Sequence, residues 1–142
     1  MGVEAGKDCV FKLDDSGDTQ RTLTTFVTKV SMDLKGHGLV DVTAMSASGH
    51  TWASDELEDC TFSVDFLYDD GSNTVWDVLT GIRGFATARD WEIGPKGTTG
   101  GYPKLSGTCF LEGLPIEVSI GDVIRLPGVP FRVNGAVTIN TW

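Results

Sequence analysis

Five side chains in this sequence are soft enough to hold a transition metal: Cys9, His37, His50, Cys60 and Cys109. Zinc sites take their ligands largely from close pairs, because a short loop can present two donors to one ion. No two of these five form such a pair, so both histidines read as members of a polar surface loop. The run Gly94-Pro95-Lys96-Gly97-Thr98-Thr99-Gly100-Gly101 has the glycines and the lysine of a phosphate cradle. It lacks the order in which Gly-Lys is followed by Ser or Thr at the start of a helix. A strand-like segment follows instead, and the run reads as a flexible hairpin tip. Asp14, Asp15 and Asp18 offer oxygens, but not at calcium-loop spacing and with no bidentate Glu to close the set; a solvated turn accounts for them. Glu56, Glu58 and Asp59 could exchange protons, yet no positioned partner accompanies them, and they read as charged surface. No Ser or Cys lies in a nucleophile motif. The chain therefore carries no evident catalytic set, cofactor site or metal site, and is expected not to be an enzyme.

The elements around these residues are mostly strands. Phe11 and Leu13 alternate with Val10 and Lys12, Cys9 falling in phase with them, and the Asp-, Ser- and Gly-rich segment 14–18 then favours a reversal. A long strand from Phe26 to Lys35 puts Phe26, Thr28, Val30, Met32 and Leu34 on one face. Val27, Lys29, Ser31 and Asp33 fall on the other. Cys60 to Tyr68 repeats the pattern, with Phe62, Val64, Phe66 and Tyr68 opposite Thr61, Ser63, Asp65 and Leu67. One apolar and one mostly polar face is the signature of an antiparallel sheet covered on one side. A single helix is expected from Asn73 to Arg83, capped by Ser72 or Asn73, with Val75, Leu79 and Ile82 as its apolar stripe and Gly84 as its stop. Further strands are expected at Phe85 to Ile93, Lys104 to Leu114, Ile116 to Leu126 and Phe131 to Trp142. Leu126-Pro127-Gly128-Val129-Pro130 reads as a rigid turn between the last two. Two long connections remain, Gly36 to Ser54 and Gly94 to Pro103, and long connections in a small domain are usually functional or mobile.

The 142 residues suit one domain, here residues 1–142, with 40% hydrophobic and 22% charged residues. The 18 glycines and 5 prolines, without a collagen period, fit many turns between short strands. The net charge of -9 is uneven: 14 acidic and 5 basic residues up to Gly71, then 6 of each from Ser72 onward. Tight nucleic-acid binding is not expected, because phosphate contacts need clustered Lys and Arg. The odd, widely spaced cysteines make a poor disulfide framework and fit a reducing compartment as buried small hydrophobes. No signal-peptide pattern, transmembrane stretch or complete myristoylation motif is read, Gly6 standing where that motif needs Ser or Thr.

The order of soft motifs resembles the major tail proteins of long-tailed, noncontractile bacteriophages. The opening Gly6-Lys7-Asp8-Cys9-Val10-Phe11-Lys12-Leu13 with Asp15-Ser16-Gly17 is similar to that family's first hairpin. A line like Leu23-Thr24-Thr25-Phe26-Val27-Thr28-Lys29-Val30 follows. Then come a segment like Val40-Asp41-Val42-Thr43-Ala44-Met45-Ser46, a stretch like His50-Thr51-Trp52, and a loop and strand like Leu57-Glu58-Asp59-Cys60-Thr61-Phe62-Ser63-Val64. The acidic turn Asp69-Asp70-Gly71 and the short helix complete the order; the resemblance is weakest past Gly94.

The resemblance implies a β-sandwich or split barrel with one flanking helix. It further implies six-subunit rings whose sheets join into a continuous inner barrel, stacked into a tube through which the genome is ejected. On that reading the chain's partners are copies of itself. The tail terminator, tape-measure and tail-tip proteins, and DNA that passes without tight binding, join them; no membrane is involved. Its place is the virion tail, after synthesis in the host cytoplasm. The polar strand faces would line the channel, giving Lys29, Asp33 and Asp65 as lumen candidates, with Lys29 a lone basic neighbour. The loop from Gly36 to Ser54, with apolar Leu39, Val42, Met45 and Trp52, would contact the neighbouring ring or subunit. The competing readings are a type VI secretion tube protein, which shares the fold and ring form, and an immunoglobulin-like adhesion or carbohydrate-binding module. The latter needs an aromatic platform, whereas Trp52, Trp76, Trp91 and Trp142 are scattered through the sequence.

Overall fold

Alternating apolar side chains can be buried only if the strands carrying them share one covered face, and the chain meets that demand with a single large sheet. The computed structural model describes residues 3, 6–45, 48–55 and 57–142. Its strands are β1 (Val10–Asp14), β2 (Gln20–Thr22), β3 (Val27–Asp33), β4 (Leu39–Asp41), β5 (Trp52–Ser54), β6 (Thr61–Leu67), β7 (Arg89–Gly94), β8 (Pro103–Leu111) and β9 (Arg125–Thr141). One helix, α1 (Val75–Ile82), lies between β6 and β7. Seven strands form one antiparallel sheet in the order β2-β1-β7-β8-β9-β6-β3, while β4 and β5 pair apart from it.

The sheet curls on itself. Strands β1 and β6 are separated by three others in the sheet, yet the ring of Phe11 on β1 lies 6.2 Å from Phe62 and 5.9 Å from Phe66 on β6. The chain bridges the open side directly: β2 leads through a 3-10 turn, Thr24–Phe26, into β3. Leu23 donates its N–H to the Phe11 carbonyl, and Thr24 Oγ1 accepts from the Phe11 N–H at 3.1 Å. The result is a split barrel, the mainly β fold with one flanking helix expected from the sequence. An aromatic cluster fills it. Phe62 stacks on Phe131 at 4.8 Å and meets Trp91 at 4.9 Å, inside a core that takes in Leu13, Val64, Leu126 and Val129. Truncating a ring so placed costs about 3–5 kcal/mol, because transfer energy and cavity energy are both lost.

The helix is shorter than expected, and Thr74, not Ser72 or Asn73, stands at its N-cap. The Thr74 hydroxyl donates back into the preceding acidic turn, to the carbonyls of Asp69 and Gly71. Asp77 reaches from the first turn to the Asn73 N–H at 2.9 Å. Val75, Val78, Leu79 and Ile82 are buried in the core, so the apolar stripe seals one flank of the barrel.

Four strand expectations are corrected. First, β7 begins at Arg89 instead of Phe85. Second, a register shift between Val27 and Lys29 changes the phase of β3. Val27 therefore packs against the core while Thr28 is exposed, and Leu34 is exposed because β3 ends at Asp33. Third, residues 116–126 form no strand up to Ile124; one bridge, Glu117 to Arg125, holds them as a projecting hairpin. Fourth, the proline-rich segment 126–130 is not a turn but the first part of the 17-residue β9. Leu126 and Val129 are both buried, so the strand must run on through the prolines. It does so by a bulge at Gly128, whose φ of +58° favours glycine. The Asp65 carboxylate accepts the Gly128 N–H at 2.7 Å and supplies a partner the irregular ladder does not.

Candidate assembly surfaces

With the apolar faces of β3, β6 and β9 turned inward, their polar faces make a continuous outer wall. Lys29 on β3 is the cross-strand partner of Asp65 on β6. Two rows along, past Ser31 and Ser63, Asp33 pairs with Thr61, Thr61 with Arg132 on β9, and Arg132 with Phe110 on β8. The structure thus brings the sequence-derived residues Lys29, Asp33 and Asp65 onto one face. It adds two the sequence reading missed, Arg132 and Glu112. Arg132 binds Asp59 at 3.0 Å and Glu112 at 3.4 Å, so Lys29 is not the lone base of this wall. The alternation Phe131, Arg132, Val133 gave Arg132 an outward direction, but only the strand order sets it beside Asp33. Carboxylates still outnumber cations: Asp33, Asp59, Asp65 and Glu112 against Lys29, Arg125 and Arg132. A shallow depression of about 390 Å³ between Ser31, Asp33 and Arg132 marks the middle of the face.

The second surface is the arm formed by residues 36–57. Strands β4 and β5 pair in the register Leu39 to Ser54, Val40 to Ala53 and Asp41 to Trp52, with every residue of both strands exposed. Leu39, Val42, Met45 and Trp52 all stand in solvent, Met45 at 106% and Trp52 at 56% of their full exposure. Among its described residues the arm therefore has no core of its own, and polar contacts hold it. The Asp41 carboxylate accepts from the Thr43 N–H at 2.9 Å and from its hydroxyl, and lies 2.9 Å from His50 Nδ1. The Thr43 hydroxyl accepts the Thr51 N–H across the hairpin at 2.8 Å. Hydrogen bonding by Thr43, hydroxyl first, and then by His50 lowers the Asp41 pKa below its ordinary value. Sequence reasoning named the apolar residues of this loop but not Asp41, Thr43 and His50 as what shapes it. The Asp-x-Thr spacing, which favours a side-chain turn, was the available signal.

The remaining motifs have structural roles. Asp15 accepts the N–H groups of Gly17 and Thr19 at 2.9 and 3.0 Å and pairs with Arg21; the Thr19 bond foremost lowers its pKa. Asp18 binds the buried Arg89 at 2.6 Å. Burial, and then the nearby Asp90, raises the pKa of Asp14. The glycine-rich run lies between β7 and β8 and cradles Trp142, whose carbonyl accepts the Gly101 N–H. Cys60 and Cys109 are buried, Cys9 is half-buried, and all three are free thiols; burial pushes Cys109 up to about 12. Among the described residues no group of three or more His, Cys, Asp or Glu side chains is placed to hold a metal ion; Glu56 lies outside those residues. No helix among them is long and apolar enough to cross a membrane.

No protein-family model and no curated protein matches the sequence. The fold, however, has counterparts among solved structures. The chain superposes on a protein in the tail of an empty gene transfer agent particle, solved by helical refinement with C6 symmetry. The TM-score is 0.78, with 98% of this chain and 100% of that chain covered, at 13% identity. It also superposes on a chain in the virion of a native gene transfer agent particle, with a TM-score of 0.73, the same coverage and 14% identity. Correspondence over both whole chains at so low an identity means that the overall fold is shared while most side chains differ.

Proposed function

We propose that this chain is the repeating subunit of a phage-like tail tube and performs no catalysis. Six copies close a ring, rings stack, and the sheets join into a continuous inner barrel through which DNA is ejected. The observation that carries the reading is the whole-chain correspondence to a subunit of a C6-symmetric tail. The polar wall of β3, β6 and β9 lines the lumen, with Lys29, Asp33 and Asp65 on it. Its excess of carboxylates repels DNA phosphate, so the genome slides without adhering. The arm reaches the adjacent ring through Leu39, Val42, Met45 and Trp52. Exposed aliphatic and aromatic side chains grouped on one projecting hairpin suit a contact that forms only on assembly. Besides its own copies, the subunit meets the tail terminator, tape-measure and tail-tip proteins. Its place is the virion tail, after synthesis in the host cytoplasm.

Negative-stain microscopy and light scattering of the purified protein test the proposal. Rings or tubes are expected at high concentration or after triggering. A species that stays monomeric under all conditions, with no particles in micrographs, contradicts it.

A further inference from the structure

One apolar surface is used by neither the polar wall nor the arm. Residues 115–124 carry a strand-like pattern, yet their backbone is tied to the sheet only at its base, by the Glu117–Arg125 bridge and by the Tyr68 N–H donating to the Ile124 carbonyl at 3.0 Å. Their tip is a turn in which Asp122 donates to the Ser119 carbonyl, with Gly121 at φ +84°. Ile116, Val118, Ile120 and Val123 are all exposed, and Ile120 at the tip is 107% exposed. Glu117 and Asp122 flank them, with Arg125 3.8 Å from the Asp122 carboxylate, so that the hairpin carries one net negative charge. Aliphatic side chains at the point of a surface turn do nothing for the isolated subunit, since loops of a solitary domain are normally polar.

On another part of the molecule lies a groove of about 490 Å³ that follows the split in the barrel. Cys9, Phe11, Val27 and Val30 make its apolar floor, and Lys7 and Lys29 stand on its rim. Lys7 is also paired with its neighbour Asp8, both in full solvent. The groove runs along the outer edge of β3, which ends the seven-stranded sheet and has a partner on one side only. A free strand edge above an apolar floor accepts an extended segment from another chain. The tip supplies what this groove lacks: aliphatic side chains, unpaired backbone and negative charge.

We propose that the 116–123 hairpin of one copy inserts its aliphatic tip into the groove beside β3 of the next copy. The contact is heterologous, joining two different surfaces of the same chain. Such contacts generate rings or helical stacks in preference to closed dimers. It rests on the self-assembly proposed above and adds the second surface that a propagating interface requires.

Cys9 makes the contact testable with a native thiol. In assembled Ile120→Cys protein, mild copper–phenanthroline oxidation should yield covalent dimers on non-reducing gels. Adding Cys9→Ser should abolish them. Tubes of Ile120→Cys that give no Cys9-dependent linkage overturn the contact while leaving the tube reading intact. Failure of the unaltered protein to assemble overturns both. Charge reversal gives a second measure. Lys7→Glu with Lys29→Glu should raise the critical concentration for assembly at least tenfold, and adding Glu117→Lys with Asp122→Lys should largely restore it. A quadruple variant no better than the double one contradicts the pairing.

Discussion

Replacing Leu39 and Trp52 by serine should uncouple folding from tube growth. Both side chains are largely in solvent, Leu39 at 65% and Trp52 at 56%. Burying a leucine fully contributes about 1.5–3 kcal/mol, so the exposed part of Leu39 holds roughly 1–2 kcal/mol in reserve. A tryptophan buries about 150–250 Å². At about 25 cal/mol per Å², its exposed part holds roughly 2–3.5 kcal/mol. Ordering the arm against a neighbour consumes a share of this, about half if the side-chain immobilisation costs of ordinary interfaces apply. The net loss on double substitution is then about 2–3 kcal/mol per subunit added. At about 1.4 kcal/mol per tenfold, that raises the critical concentration for tube formation some 30- to 100-fold. The subunit itself should scarcely notice. Surface substitutions away from caps and cores usually stay within about 0.5 kcal/mol, and the backbone pairing of β4 with β5 does not involve these side chains. Critical concentration is read by sedimentation of assembled material, and subunit stability by urea unfolding followed by circular dichroism. An unchanged critical concentration would refute the stacking role of the arm. A large drop in subunit stability would refute the premise that these residues lack a partner within the chain.

Deleting residues 39–48, of which 46 and 47 lie outside the described residues, should likewise leave a folded subunit that forms no long tubes in micrographs. For the lumen, Asp33→Lys combined with Asp65→Asn should permit ring assembly but slow genome ejection, with the defect easing as salt screens the added charge. Asparagine is chosen at Asp65 because its oxygen can still accept the Gly128 N–H; ejection kinetics unaffected at low salt would count against a lumen role. Gly94→Ala should destabilise the subunit by about 1–3 kcal/mol in urea unfolding. A Cβ there would lie 2.7 Å from the Gly97 carbonyl oxygen and 3.0 Å from the Trp142 ring. Acid should weaken the β1–β2 turn and the arm. The pKa values of Asp15 and Asp41 are both held below their ordinary 3.8 in the folded state. Their contribution is whole above that value and is lost as pH falls through the folded values. Unfolding midpoints should therefore decline as pH falls below about 3.8, less steeply in Asp15→Asn; identical slopes would contradict the assignment.

The sequence by itself determined the class of fold, the inward sides of β1 and β6 and the helix stripe. These follow from local periodicity: Phe62, Val64 and Phe66 can share a buried face only if the chain is extended there. Val75, Leu79 and Ile82 can do so only if it is helical. It also marked 36–54 as a segment with work to do, since its apolar residues follow no period that would bury them. The tertiary structure decided what depends on partners distant in sequence. Segment 126–130 reads as a turn by composition, yet Leu126 and Val129 reach the core only if β9 runs straight through it. The bulge that permits this depends on the Asp65 carboxylate, 63 positions away. Residues 116–124 have the alternation of a strand, but beyond the Glu117–Arg125 bridge and the Tyr68–Ile124 bond no ladder continues along them, and a strand without a continuous neighbour is not held as one. Arg132 shares a wall with Asp33 only because β9, β6 and β3 are neighbours in the sheet, and the groove between Cys9 and Val30 exists only because the sheet curls until β1 approaches β3. Periodicity sets which way a side chain points; which side chains it meets is set by strand order and curvature, and those are properties of the whole chain.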